Sequence, residues 1–268
     1  MKSELFKIKC ITNLHVGSGD VNYNIVDKEV EKDPVTEYPV INASGVKGAF
    51  RDSAYPVINA SGVKGAFRDS AAGMAPSDIE RIFGAQGANN EGKPGLYKFF
   101  DAKFLSRPLR VGGKPNMAYI PVTTVTAVND FLREISLFKC NPFGIEKIRE
   151  VEFSEDFLVS CKVPNIEGST KMKLITNEFT EDEMKVLKKI FGENFTIAKD
   201  INEYSLPVVA RNKVHEDKNL WYEEFVPHHS MFYLIVLVPD KFELDISEPV
   251  QFGGNASVGY GFTAIDRF

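Results

Sequence analysis

The side chains of this 268-residue chain that could do chemistry gather around three glycine-containing turns. His15 stands just before Gly17-Ser18-Gly19. An imidazole there can serve as a general base, or can simply be a satisfied group at a strand end. Asp27, Glu29, Glu31 and Asp33 follow in one polar loop. A carboxylate in such a loop can hold a hydrated divalent cation beside a phosphate, where the metal stabilises negative charge and helps activate an attacking hydroxyl. Read by itself, such a run is usually just a solvated charged surface. Glu223 and Glu224 form a second acidic step. Adjacent residues of a strand face opposite sides, so only one of them can point at a ligand.

Ser44-Gly45-Val46-Lys47 opens a helix in which Ser44 is the expected N-cap. The amides that follow are expected to face outward at the positive helix end. Lys47 and Arg51 lie one turn apart on one face. This outlines a phosphate site; an ordinary capped helix with two solvated bases reads the same way. The third turn runs Gly253-Gly254-Asn255-Ala256-Ser257-Val258-Gly259-Tyr260-Gly261. Glycine lets a backbone approach a phosphate closely. The plain alternative is a tight turn between strands, with Phe252 and Phe262 beneath it. Three such turns in one chain suggest a surface built to hold a polyanion.

The elements that must carry these groups read as α+β. Phe6, Ile8 and Cys10 alternate with Lys7 and Lys9, a half-buried strand. A short helix is expected from Pro76 to Gly84 and an amphipathic one over Thr124 to Phe138. Thr180 with Glu183 is a capping box, and Gly192 closes the helix it starts. Strands are expected over 95–104 and 116–122, the last strand with the glycine turn within 246–268, and Arg149–Glu155 with Asp156–Val163 as a strand pair. Ser205–Val214 and Asn219–Val226 flank a polar tip, which predicts a long hairpin. Met231 to Val238 is a wholly apolar strand. Many strands and few helices predict an antiparallel sheet with helices on one side.

Net charge is −5, from 32 Lys and Arg against 37 Asp and Glu. That argues against a general nucleic-acid binder and leaves room for local patches. Lys103, Arg107, Arg110 and Lys114 form one such group, and Arg211 with Lys213 another. No apolar run approaches the ~20 residues of a membrane helix. Cys10, Cys140 and Cys161 are too few and too scattered for a disulfide framework or a zinc site. A cytoplasmic location follows. Residues 38–54 and 55–71 are identical, YPVINASGVKGAFRDSA twice over. A tandem copy of this kind is not a solenoid; it reads as a recent local duplication, a cloning artefact or a sequence error. Ser61, Lys64 and Arg68 are therefore equivalent candidates to Ser44, Lys47 and Arg51.

The order and wording of Leu14-His15-Val16-Gly17-Ser18-Gly19, Pro39 to Arg51 and Gln251 to Phe262 resemble the RAMP superfamily of CRISPR proteins, nearest the backbone subunits of type III-B (Cmr) effector complexes. Asp101 to Leu105 leading to Arg107-Pro108-Leu109-Arg110 is similar to the central strand of that group. Trp221 to Pro227 followed by Met231 to Val238 is similar to its late strand pair. The resemblance implies a single domain over 1–268 with a ferredoxin-like (RRM-type) core, large insertions and a thumb-like β-hairpin at 200–226. It implies a guide-RNA-binding subunit of antiviral defence, stacked head to tail with copies of itself beside other Cmr subunits, that cuts guide-paired target RNA at regular intervals. Relatives carry their cleavage aspartate at a Val-Asp or Ile-Asp step, here Val26-Asp27, so Asp27 is implied as catalytic and as ligand of a divalent metal ion, Mg2+. Relatives leave a 2′,3′-cyclic phosphate. Lys28-Glu29-Val30-Glu31 departs from the family's proline-containing stretch, which keeps Asp33 as the fallback.

His15 is implied as a positioning residue, and Glu223 and Glu224 as carboxylates near the cleavage region. Ser44, Lys47 and Arg51, or their duplicates, together with Arg211, Gly253, Gly254 and Asn255, are implied as RNA contacts. Leu206, Pro207, Val208 and Val209 are candidates for a wedge entering the guide–target duplex. Base stacking on the open sheet is not expected, because no RNP-type aromatic signature is present. The alternatives are a passive RNA scaffold, a metal-independent guide-processing RAMP endoribonuclease using His15, and a type III-A backbone subunit.

Overall fold

A computed structural model describes residues 1–17, 26–54, 76–85, 93–111, 118–150, 152–160, 169–175, 179–202, 205–213, 219–244, 246 and 249–268; the side chains of 51–54, 76, 79, 85, 154–160, 169–175, 213 and 219 lie outside this description. Ser61, Lys64, Arg68, Lys114 and the polar hairpin tip also lie outside it.

The chain begins with strand β1 (Lys2–Cys10), then helices α1 (Ala43–Ala54) and α2 (Pro76–Phe83). Three two-residue strands follow, β2 (Gly84–Ala85), β3 (Lys93–Pro94) and β4 (Lys98–Phe99). Next come β5 (Lys103–Arg110), β6 (Tyr119–Thr124), α3 (Val125–Leu137), β7 (Phe153–Ser160), β8 (Ser169–Ile175) and α4 (Glu181–Phe191). The last third holds β9 (Thr196–Ala198), β10 (Val208–Lys213), β11 (Asn219–Glu224), β12 (Met231–Val238), β13 (Val250–Gln251) and β14 (Phe262–Arg267). A ten-stranded sheet runs β13-β14-β1-β12-β5-β6-β9-β8-β7, with β4 added on β12, and β10 and β11 form a separate antiparallel hairpin.

β12 is apolar at every position because both of its faces are covered. Phe232, Leu234, Val236 and Val238 point into one cluster with Val46, Ala49 and Phe50 of α1 and Ile82 and Phe83 of α2. Met231, Tyr233 and Ile235 point into the other, with Val128, Phe131 and Leu132 of α3 and Leu187 and Ile190 of α4. Helices therefore cover both faces, and the one-sided arrangement expected from the sequence is corrected. One pair, β6 with β9, is parallel, so the sheet is mixed. Two periods of burial, 2 along the strand and 3.6 along the helices, meet across each cluster.

Thr180 and Glu183 close their capping box as expected, and Gly192 ends α4 in the left-handed region. Thr124 caps α3 through its side chain. Two expectations change. The strand pair near residue 155 is one strand, β7, whose partner is β8, with a bulge between Phe153 and Glu155. The N-cap of α1 is Asn42, not Ser44: Asn42 Oδ1 accepts from the Gly45 amide (2.8 Å) and from Ser44 Oγ (2.7 Å). The first of the two identical 17-residue segments contributes Tyr38, Val40, Ile41, Val46, Ala49 and Phe50 to the core, and the second lies outside the described residues.

Phe252 is fully buried under the third glycine turn, with Phe50 edge-on at 5.8 Å. Phe252→Ala should cost about 3–5 kcal/mol of stability, read as a lowered urea midpoint with an unchanged slope.

Candidate functional site

β10 and β11 pair from Val208–Glu224 to Lys213–Asn219. The segment after Val26 docks along β11: the amides of Asp27 and Lys28 both donate to the Tyr222 carbonyl at 3.1 Å, and the Glu224 amide donates to the Lys28 carbonyl at 2.9 Å. Asp27 returns a bond, its Oδ2 accepting from the Tyr222 amide at 2.8 Å. On its other side the segment reaches the end of the first strand region, where the Glu31 amide donates to the Val16 carbonyl and Gly17 bridges Val30; Ser18 and Gly19 lie outside the described residues. The Asp27 loop is thus strapped between two structured backbones.

Glu223 sits at the junction, 2% exposed. Its carboxylate receives Lys28 Nζ at 3.0 Å, Arg211 Nε at 3.0 Å, Trp221 Nε1 at 2.8 Å and Asn255 Nδ2 at 2.9 Å. Burial by itself opposes the charge, but these donors outweigh it and hold the carboxyl at about 2. Glu224, on the opposite face, accepts from the Val30 amide (3.1 Å) and pairs with Lys32 Nζ (3.2 Å). Both acids of the step therefore point into the protein, which corrects the expectation that one faces a ligand.

His15 is buried and its Nδ1 lies 2.7 Å from the Glu224 carbonyl. A carbonyl can only accept, so Nδ1 carries the proton and Nε2 is the basic nitrogen of the neutral ring. The His15 carbonyl accepts the Gly254 amide at 2.9 Å. A Cβ on Gly253 (φ +71°) would meet that carbonyl at 2.2 Å, so only glycine fits this crossing. The close approach made by this turn is to the His15 backbone. Asn255, also left-handed, hands its side chain to Glu223.

His15, Asp27, Glu223, Glu224, Arg211, Gly253, Gly254 and Asn255 thus converge from four stretches of chain. The α1 turn is different. Its Ala43 amide donates to Asp101 Oδ1 at 2.6 Å, and the Val46 amide to the Asn42 carbonyl, so the expected phosphate cradle already holds a carboxylate of its own. Lys47 is half-buried on α1, and the side chain of Arg51 lies outside the described residues. The expected basic group beginning on β5 is dispersed among its described members: Lys103 pairs with Glu134, Arg107 is buried and donates to the Ile201 carbonyl, and Arg110 is exposed. Arg211 is spent on Glu223 and lies over the Tyr260 ring at 4.7 Å. Of the four wedge candidates, Leu206 is buried in the core and all lie at the hairpin's base, while Val208, Leu220 and Tyr222 form an exposed apolar face. Asp33 caps its own turn, accepting from the Val35 and Thr36 amides and the Thr36 hydroxyl, an arrangement unlike a poised metal ligand.

Lys28, Lys32, Asn42 and Asp101 were not singled out by sequence reasoning. The first two carried a signal, being cations spaced four apart in the loop facing a Glu-Glu step. Among the described residues no three His, Cys, Asp or Glu side chains group closely enough to hold a metal ion. Asp27 supplies one carboxylate with one oxygen already bonded, which fits an ion completed by water and phosphate oxygens rather than a protein cage.

A profile of the RAMP superfamily matches residues 7–264. The chain belongs to the RAMP superfamily. Among curated relatives, it is 26% identical to the CRISPR system Cmr endoribonuclease Cmr4 of Pyrococcus furiosus across 99% of this chain and 95% of that one. It is 24% identical to the CRISPR system CMR subunit Cmr4 of Saccharolobus solfataricus, across 85% and 82%. Its fold is similar to a chain of the type III-B Cmr-beta complex bound to cognate target RNA (TM-score 0.67, 20% identity, 100% and 97% covered). It is also similar to oligomeric Cmr4 from Pyrococcus furiosus (TM-score 0.63, 22% identity, 100% and 98% covered). This RAMP chain therefore shares a mixed α+β architecture around a central sheet with those structures. Among the described residues no helix is long and apolar enough to cross a membrane.

The Glu223 carboxyl has an ordinary value of 4.5 and is held at about 2 in the fold. A depressed value means that its contribution is fully present above pH 4.5 and disappears as pH falls toward 2. Stability should fall by on the order of 3 kcal/mol through that window, and Glu223→Gln should flatten this acid limb in denaturant titrations at successive pH values.

Proposed function

We propose that this chain is the backbone subunit of a type III-B CRISPR effector complex, binding guide RNA without sequence preference and cutting guide-paired target RNA. The observation that supports it most is the strapping of Asp27 to Tyr222 at the junction of the hairpin, the His15–Gly17 stretch and the last glycine turn. A nucleotide resting on the exposed Tyr222 face lies beside that carboxylate. Copies stack head to tail along the guide, next to other Cmr subunits in the cytoplasm, so cuts recur at regular spacing. Base pairing selects the target, and protein reads backbone and shape, a division of labour known from other guided effectors. We read the central strands as a ferredoxin-like core with insertions and the 200–226 hairpin as its thumb.

In this reading Asp27 orients the scissile step, with Mg2+ as the divalent ion. A bound ion would supply charge stabilisation at the phosphate and would assist the 2′-hydroxyl that attacks it. Lys28 and Lys32, neutralised on Glu223 and Glu224, hold the loop bearing Asp27 at its position. The hairpin splays the target backbone so that the 2′-hydroxyl lines up with its phosphate, a proximity effect. His15, with Nδ1 fixed, keeps Glu224 and the glycine turn in register.

The test is target cleavage by the complex assembled with guide RNA. Asp27→Ala should lower cutting at least about a hundredfold, the scale of several kcal/mol of transition-state stabilisation, with target binding retained. Chelator should do the same to the unaltered protein. Unchanged cutting in Asp27→Ala would remove Asp27 from the chemistry. Cutting that survives chelator but not His15→Ala would favour the metal-independent reading, and binding without cutting in every form a passive scaffold.

A further inference from the structure

A three-ring stack stands at the end of the sheet nearest the hairpin, apart from the Asp27 junction. Tyr119 and His229 are parallel at 4.9 Å, and His228 tilts against His229 at 4.6 Å. The geometry is fixed by backbone. His229 holds φ +69°, uncommon for a residue with a side chain, and its amide donates to the Cys10 carbonyl at 2.7 Å. His228 is anchored by Asn13, whose Oδ1 accepts both the His228 amide (3.0 Å) and Nδ1 (3.2 Å). That leaves Nε2 as the acceptor of the ring. The outer rings are open: Tyr119 is 40% exposed and His228 is exposed.

Two exposed cations flank the stack. Arg110 is the register partner of Tyr119 across β5 and β6, and Lys9 bears electrostatically on His229. Neither has a carboxylate partner among the described residues. Burial, then His228, then Lys9, keep His229 below the ordinary histidine value, so at neutral pH the middle ring is uncharged. Asn13 also ties the stack to the last glycine turn, since its carbonyl accepts the Gly261 amide at 2.7 Å. From Tyr222 to His228 is six residues, at most about 20 Å of extended chain, which a few nucleotides can span.

We infer that Tyr119, His229 and His228 form a nucleobase-stacking platform for single-stranded RNA, with Lys9 and Arg110 meeting the adjoining phosphates. Every base has a π-face, so such a platform holds RNA without reading its sequence. It lies at strand ends rather than on an open sheet face, so it needs no RNP-type signature. The inference rests on the RNA-binding reading above and adds a second contact beyond the Asp27 junction.

The test uses the assembled ribonucleoprotein with 4-thiouridine placed at successive guide or target positions, irradiated and mapped by peptide. A crosslink to the segment bearing Tyr119 or to His228–His229 is expected. It should fall about tenfold in Tyr119→Ala, return in Tyr119→Trp, and fall also in His228→Ala. Crosslinks elsewhere on the chain with none here would overturn the platform and leave the backbone-subunit reading standing. No crosslink anywhere on the chain in an intact complex would overturn both. Loss of copy-to-copy assembly in Tyr119→Ala, with crosslinking of the remaining complex unchanged, would make this surface a protein interface and overturn the platform.

Discussion

A buried carboxylate is stable only if its charge is met, because desolvation of an unpaired anion costs several kcal/mol. Glu223 meets that condition with four donors drawn from three places: Lys28 from the Asp27 loop, Arg211 and Trp221 from the hairpin, and Asn255 from the last glycine turn. Lys28, Arg211 and Asn255 reach it from other elements, and Trp221 from its own strand. The charge cannot be satisfied unless all three places are assembled, so this one side chain makes their relative position a condition of folding. The Lys28 ammonium over Trp221 at 5.3 Å and Arg211 over Tyr260 extend the same arrangement.

The second layer is built from backbone. His15 lies between the Glu224 carbonyl and the Gly254 amide, bonding one through its ring and the other through its carbonyl. Gly253 is required because any side chain would strike that carbonyl, and Gly261 because a Cβ there would lie 2.0 Å from the Phe252 carbonyl. The glycines of the last turn thus answer to the protein's own packing at the crossing. α1 shows the same economy in a different form: the positive helix end is answered internally by Asp101.

Local signals in the sequence were legible. The alternation of Phe6, Ile8 and Cys10, the capping box at Thr180 and the apolar run from Met231 each encode their element within a few residues, and each is found where expected. What escaped depends on partners far away in sequence. Lys103 looked like a free base until Glu134 was placed beside it, and Arg211 until Glu223 was. Asn42 and Ser44 are both good caps, and the choice between them turns on where Ile41 is held by Ala102. That β12 is covered on both faces was implicit in its unbroken apolar run, yet which helices cover which face depends on topology. The gathering of His15, Asp27 and the Glu-Glu step at one junction came from family likeness; spacing alone gave no reason for it.

The most direct measurement of the central claim is amide hydrogen exchange in Glu223→Gln, compared with the unaltered protein at neutral pH. If Glu223 holds the junction, residues 26–32, 219–224 and 253–261 should lose protection together while β1 and β12 keep theirs. Unchanged protection in those three segments would show that the Asp27 loop is held by its backbone bonds alone, and that the buried carboxylate is not what the site depends on.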